Sequence, residues 1–204
     1  MRPFFRQRTA GLAQCDGQIA LACLTHTHHT LQIENLAIVP LPATSEAITH
    51  ATRTLVTQTG ARGWPAAIAL PEPLTIQREI RMASTQNESD RDAELRDHLA
   101  DYLPGNPAFL CLDHAVIQPG EKEHQILLIA AREDTVYTAV SQAENAGLVV
   151  RIVDIDQHAK NRALDLQPLS ALPCADAINK SLLDTPTTAL LIALGLAMRR
   201  CPTW

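Results

Sequence analysis

The segment that decides the fold is ILLIAAREDTVYTAVSQAENAGLVVRIVDIDQHAKNRAL, residues 126–164. With the two residues before it, the run to Ala131 is an apolar strand. Val136, Val140 and Ala143 then fall on one face of a helix that Gly147 ends. LVVRIVDI, 148–155, reads as a second strand, and DQHAKNRAL, 156–164, as a helix with Asp156 at its cap. Strand alternating with helix is the signature of an α/β chain.

Working outward, the pattern extends in both directions. AAIAL, 66–70, is wholly apolar, as expected of a strand in the middle of a sheet covered on both sides. Pro71 and Pro73 stop it and mark a crossing between two parts of the chain. Beyond them the order is strand (LTIQREIRM), helix (SDRDAELRDHLADYL), strand (FLCLDHAVI), turn (QPGEKE) and the strand that opens the deciding segment. Ser89-x-x-Asp92 resembles a capping box, and Leu95, Leu99 and Tyr102 or Leu103 line one helical face. Before AAIAL, residues 44–60 read as an amphipathic helix capped by Thr44 or Ser45 and closed by Gly60. Earlier still, GLAQCDGQIALACL (11–24) is a hairpin with Asp16-Gly17 at its tip, and THTHHT (25–30) is the polar tip of a meander into LQIENLAIVPL. At the other end, 165–184 has no clear period. TPTTALLIALGLAMRR (185–200) is then a helix with Pro186 in its first turn and Arg199 and Arg200 complementing its dipole.

The 204 residues are 46% hydrophobic but only 3% aromatic, so the core is built of Ala, Leu, Ile and Val. A net charge of −5, with three lysines in total, offers no basic stripe for general nucleic-acid binding. Arg2, Arg6 and Arg8 around Phe4 and Phe5 could touch an anionic membrane face; a frayed terminus is the favoured reading. Five cysteines without C-x-x-C spacing suggest neither zinc nor a disulfide framework, and so a reducing compartment. No export signal is recognisable, and the longest apolar run is about half the ~20 residues of a membrane span. The expected location is the cytosol.

Tests for chemistry are negative or weak. There is no P-loop, G-x-G-x-x-G, G-x-S-x-G or H-E-x-x-H motif. His26 and His28 would share a strand face and could converge on a metal, but lack further ligands nearby; a solvated turn is favoured. Asp97-His98 and Asp113-His114 are adjacent pairs that point apart, and read as solvated side chains. Asp154 and Asp156 share a strand-end face that could hold Mg²⁺, although capping accounts for Asp156. No catalytic residue, cofactor or metal is assigned.

The order of these pieces resembles the PilM-like type IV pilus assembly proteins, including the HofM or competence versions, of the actin-like, FtsA-related superfamily. The resemblance rests on AIALPEPLTIQREIRM, the helix end ADYLPGNP, the LIAARED…AGLVVRIVDID block and TALLIALGLAMRR. It implies a partial actin-like (ribonuclease H-like) 1A lobe, residues 1–71 and 148–204, with an inserted 1C (SHS2-like) subdomain at 72–147. Such chains continue from the VDID…RAL helix through a second, nucleotide-binding lobe, for which Asp165–Pro186 is far too short. Laid on the family's first phosphate loop, the acidic position is Ala13, the glycine Cys15, the paired serines Asp16 and Gly17, and the lysine Ala20. An Asp thus stands where phosphate would approach, and ATP binding is expected to be lost.

The function the resemblance implies is that of a non-catalytic cytoplasmic adaptor, peripheral to the inner membrane. It would grip the cytoplasmic tail of a PilN-like protein between 1A and 1C, with Arg78, Arg81, Arg132, Asp154 and Asp156 as candidate contacts. Other pilus assembly proteins and a second copy of the chain are further expected partners; nucleic acid and direct membrane insertion are not. Two alternatives stand beside it: an ATP-binding actin-like ATPase of the same machine, and a type II secretion L-like module that binds a secretion ATPase. The lack of a tethering span counts against the latter.

Overall fold

The computed structural model describes residues 6–27, 30–103, 109–166, 168–176 and 178–201. His28 and His29, the Arg2–Phe5 segment and the Pro104–Pro107 end of the acidic helix lie outside the described residues. The chain divides into two compact units, Met1–Pro71 with Thr138–Trp204, and Glu72–Tyr137.

The first unit is built on a five-stranded sheet of order β3-β2-β1-β4-β8. β1 (Gln7–Cys15), β2 (Gln18–His26) and β3 (Leu31–Pro40) form an antiparallel meander. β4 (Pro65–Leu70) and β8 (Val149–Ile155) are parallel to β1. The Asp16-Gly17 tip is a two-residue turn with φ of 49° and 71°. That is the left-handed pair matching strand twist, and it closes the register Cys15↔Gln18.

Each face of this sheet carries helices, and side-chain size alternates with the faces. Leu12, Ile19, Leu21 and Cys23 pack with Leu55 and Val56 of α1 (Ser45–Thr59) and with Ala143 of α4 (Glu133–Asn145). Their neighbours Ala13, Ala20 and Ala22 face α5 (Asp156–Leu164) and α7 (Thr188–Ala197). Small residues on that face let helix backbone approach the sheet closely. A Cβ at Gly11 would lie 2.0 Å from the Ala193 carbonyl oxygen, and one at Gly195 would lie 1.8 Å from that of Ala159. Every residue of α7 from Ala189 to Ala197 is buried, as an all-apolar helix requires.

The second unit is a three-stranded antiparallel sheet of order β5-β7-β6, comprising β5 (Thr75–Ala83), β6 (Leu110–Gln118) and β7 (Glu123–Arg132). Met82, Ile126, Leu128 and Ala130 pack beneath Leu95 and Leu99 of α2 (Glu88–Asp97) and α3 (Leu99–Tyr102).

Helix starts depart from expectation in three places. Asn87 rather than Ser89 caps α2, its side chain accepting from the Asp90 N–H at 3.0 Å, and the helix breaks at His98. Asp156 is the first helical residue of α5, after Ile155 at the cap. Pro186 precedes the α7 cap Thr187, whose hydroxyl accepts from the Leu190 N–H. Thr44 and Gly60 cap α1 as expected. The inserted unit ends at Tyr137, ten residues before the expected 147, because Ala139, Val140, Ala143 and Ala146 belong to the core around Leu55. Residues 165–184 hold a 3₁₀ turn at Leu169–Ala171 and the short α6 (Ser181–Asp184). Between them, Ile33 of β3 bonds to Pro173 and Ala175 at 2.8 and 2.9 Å.

Candidate functional site

In an open sheet with parallel strands, ligands are received outside the carboxyl ends of those strands. In the first unit that edge is formed by the β1–β2 turn, the end of β4 and the β8–α5 junction. Cys15 sits among the charges gathered there. Its thiol is pushed up to about 11, chiefly by burial, then by the carboxylates of Asp16 and Asp156, with Lys160 opposing them. Two carboxylates therefore flank this turn. The Gly17 carbonyl accepts from the Leu41 N–H at 2.8 Å, which ties the turn to the end of β3.

Asp154 and Asp156 have separate roles. Asp154 is buried, and its Oδ2 accepts from Arg162 Nη2 at 3.0 Å and from Arg199 Nη1 at 3.1 Å, while Oδ1 accepts from the Ile155 N–H at 2.8 Å. Arg162 Nη1 also donates to the Gly195 carbonyl at 2.6 Å. Both oxygens of Asp154 are thus engaged within the fold, locking α5 and α7 to β8, which leaves it poorly placed as a Mg²⁺ ligand or a partner contact. Arg199 serves this clasp rather than the α7 dipole. Asp156 Oδ1 accepts from the Gln157 N–H at 2.7 Å at the start of α5. Among the described residues no group of three or more His, Cys, Asp or Glu is placed to hold a metal ion.

The three candidate arginines belong to the second unit. Arg78 and Arg81 are three apart on β5 and so point to opposite faces of the sheet. Arg78 lies on the side of Ile76, Ile80 and Met82, and Arg81 on the side of Gln77 and Glu79. β5 is an edge strand, bonded only to β7 within its sheet. Arg132, at the end of β7, donates from Nε and Nη2 to Asp134 at 3.1 and 2.8 Å. Those bonds hold the Asp134 carboxyl down at about 2.

Two histidines expected to be solvated are not. The His114 side chain is only 8% exposed, its Nδ1 lies 3.2 Å from Asp92 Oδ1, and it joins β6 to α2. His26 is buried, and its Nε2 lies 2.9 Å from the Ala197 carbonyl, so this nitrogen is the donor. Its pKa is lowered, first by burial, with the Ala197 bond opposing and Arg200 adding to the effect. A depressed histidine pKa means that the folded state binds fewer protons. Stability is then whole above the unfolded value near ~6.5 and declines as pH falls through it toward the folded pKa. Urea unfolding at pH 8, 6 and 5 should show this decline, and His26→Gln, which keeps a donor, should flatten it.

The fold so described is a mixed α/β fold shared with solved structures. The first of these is PilM in a PilM–PilN type IV pilus biogenesis complex. It matches with a TM-score of 0.68 at 20% identity, over 82% of this chain and 52% of that one. This chain therefore spans about half the length of that relative. Weaker matches are the cytoplasmic domain of EpsL, an inner membrane component of the type II secretion system of Vibrio cholerae, and T. thermophilus RuvC with a Holliday junction substrate. EpsL gives a TM-score of 0.46 at 15% identity over 76% of this chain and 59% of that chain; RuvC gives 0.40 at 10% over 94% and 90%. No curated protein matches the sequence. Residues 11–177 match the family described as type IV pilus assembly protein PilM. The chain belongs to that family. Among the described residues no helix is long and apolar enough to cross a membrane.

Proposed function

We propose that the chain is a non-catalytic, cytoplasmic adaptor of type IV pilus or DNA-uptake assembly that binds the extended cytoplasmic tail of a PilN-like inner-membrane protein. The observation that carries this reading is family membership over residues 11–177, together with the solved PilM–PilN complex that shares the fold. An extended tail gains main-chain bonds from a free strand edge and specificity from flanking side chains. The edge of β5, with Arg78 and Arg81 on its two faces, offers both; Arg132 and Asp154, already paired internally, contribute less. Asp16 and Asp156 beside the former phosphate loop oppose a nucleotide by like charge, which supports the adaptor over an ATPase.

Titration with a synthetic peptide of the PilN-like partner's cytoplasmic segment should give saturable binding, weakened at least tenfold by the pair Arg78→Glu and Arg81→Glu. No binding up to millimolar peptide would remove the reading. Calorimetry with Mg-ATP should give no saturable heat; micromolar ATP binding would favour the ATPase instead.

A further inference from the structure

The two sheets end in four strands, β3 and β8 in the first unit and β5 and β6 in the second. An unpaired edge is a template for another strand, and proteins blunt it with bulges, covering chain or charge. Three of these edges are blunted by their backbone. On β3, the Ile33 N–H donates to Pro173 and its carbonyl accepts from Ala175, and Glu34 is an extra residue between the partners of Cys23 and Leu24. β8 carries the extra residue Arg151 between the partners of Ala66 and Ala67, and its Ile155 N–H is taken by Asp154 Oδ1 at 2.8 Å. β6 carries the extra residue Ile117, and its His114 N–H is taken by Asp113 Oδ1 at 2.8 Å.

β5 has none of these devices. Its register with β7 runs unbroken from Thr75↔Ala131 to Ala83↔Glu123, and among the described residues no other backbone bond reaches residues 76–82. Alternate N–H and C=O groups along its outer side are therefore left for water or for a further strand. Its remaining guard is charge, in the exposed side chains of Arg78, Glu79 and Arg81. Glu79 accepts from Gln125 Nε2 at 2.7 Å, and Arg81 forms no ion pair among the described residues.

We infer that β5 pairs antiparallel with β5 of a second copy, about a two-fold axis at Ile80, so that the two three-stranded sheets become one. Residues opposite each other in an antiparallel pair point to the same face. A two-fold axis perpendicular to the sheet keeps each face on its own side, so it must pass through a residue rather than between two. An axis at Arg78, Glu79 or Arg81 sets like charges face to face, and one at Gln77 sets every charge opposite an uncharged residue. The axis at Ile80 sets Glu79 opposite Arg81 of the second copy, and symmetry makes that pair twice; Ile80 then meets Ile80, and Arg78 lies opposite Met82. Charge that repels other registers thus favours this one, which selects another copy of the chain over an arbitrary strand. The pairing rests on β5 alone; taken with the proposed tail, which uses the same edge, it means that a copy within the dimer holds no tail there.

Sedimentation equilibrium of the full chain without peptide tests this. A reversible dimer is expected at submillimolar concentration, weakened by high salt, with hydrogen exchange in residues 76–82 slowing as concentration rises. Arg81→Glu and Glu79→Arg each turn both cross-axis pairs into like charges, and each should weaken the dimer about tenfold or more. The double swap Glu79→Arg with Arg81→Glu restores opposite charges and should return the affinity to within about threefold of that of the unaltered chain. Both side chains are exposed, so unfolding midpoints should hold; if a swap does not fold, Glu79→Gln with Arg81→Gln, expected to weaken the dimer about threefold or more, serves instead. A monomer at millimolar concentration, a dimer indifferent to the single swaps, or one that the double swap does not restore would overturn the inference. Peptide binding by a chain that stays monomeric would overturn it and leave the adaptor reading intact, whereas a charge-dependent dimer that binds no peptide would support it and remove that reading alone.

Discussion

Gly195→Ala is expected to destabilise the protein by about 3 kcal/mol or more, although on helix propensity alone the change stabilises by up to ~1 kcal/mol. A methyl at this position meets the Ala159 carbonyl oxygen at 1.8 Å and its carbon at 2.6 Å. Both are backbone atoms of α5, so no side-chain rotation relieves the overlap. α7 must move away from α5, which opens gaps around Leu190 and Leu194, both fully buried. At roughly 2–4 °C per kcal/mol for a chain of this size, the melting midpoint should fall by about 6 °C or more. Gly11→Ala should behave alike, because its Cβ would meet the Ala193 oxygen and the Ala197 nitrogen of α7. A neutral or raised midpoint for either variant would mean that the helix–sheet approach is looser than described.

Asp154→Ala should cost about 2 kcal/mol in urea unfolding at pH 7. Breaking a fully buried ion pair costs roughly 3–5 kcal/mol, but Arg162 and Arg199 keep a third or more of their surface in water, which screens part of the loss. The variant leaves two guanidinium groups against one another with no anion between them, and it frees Arg162 to drift from the Gly195 carbonyl. Adding Arg199→Ala to Asp154→Ala should therefore cost less than the sum of the two changes made singly. Strict additivity would show that the two side chains do not act as a pair.

Much of the scaffold was legible from local pattern. The apolar runs, Asp16-Gly17, Thr44, Gly60 and Gly147 mark strands, a turn and helix ends that lie where their chemistry requires. What was missed depends on partners remote in sequence. Nothing around Asp154 announces Arg199, 45 residues on, and a strand-end carboxylate before a helix reads as easily as a ligand or a cap. His26 and His114 look like polar punctuation until α7 and α2 are laid over them. Arg78 and Arg81 were grouped for their charge, whereas their odd spacing on a strand separates them. The one readable signal left unused is the alternation of Gly11, Ala13, Ala20 and Ala22 with Leu12, Ile19 and Leu21, which distinguishes a sheet face made for close helix packing from one filled by large side chains.

The burial of α7 against β1 and β2 bears on how the protein is made. The hairpin at residues 7–26 leaves the ribosome before α7, and its small-residue face stays uncovered until residues 188–197 have been synthesised, well over a hundred codons later. The inserted unit, whose hydrophobic core is drawn from residues within 72–137, can close in the meantime. Translation thus produces an interval in which one half of the first core is sticky and unfinished, and in that interval a nascent chain of this architecture depends most on chaperones.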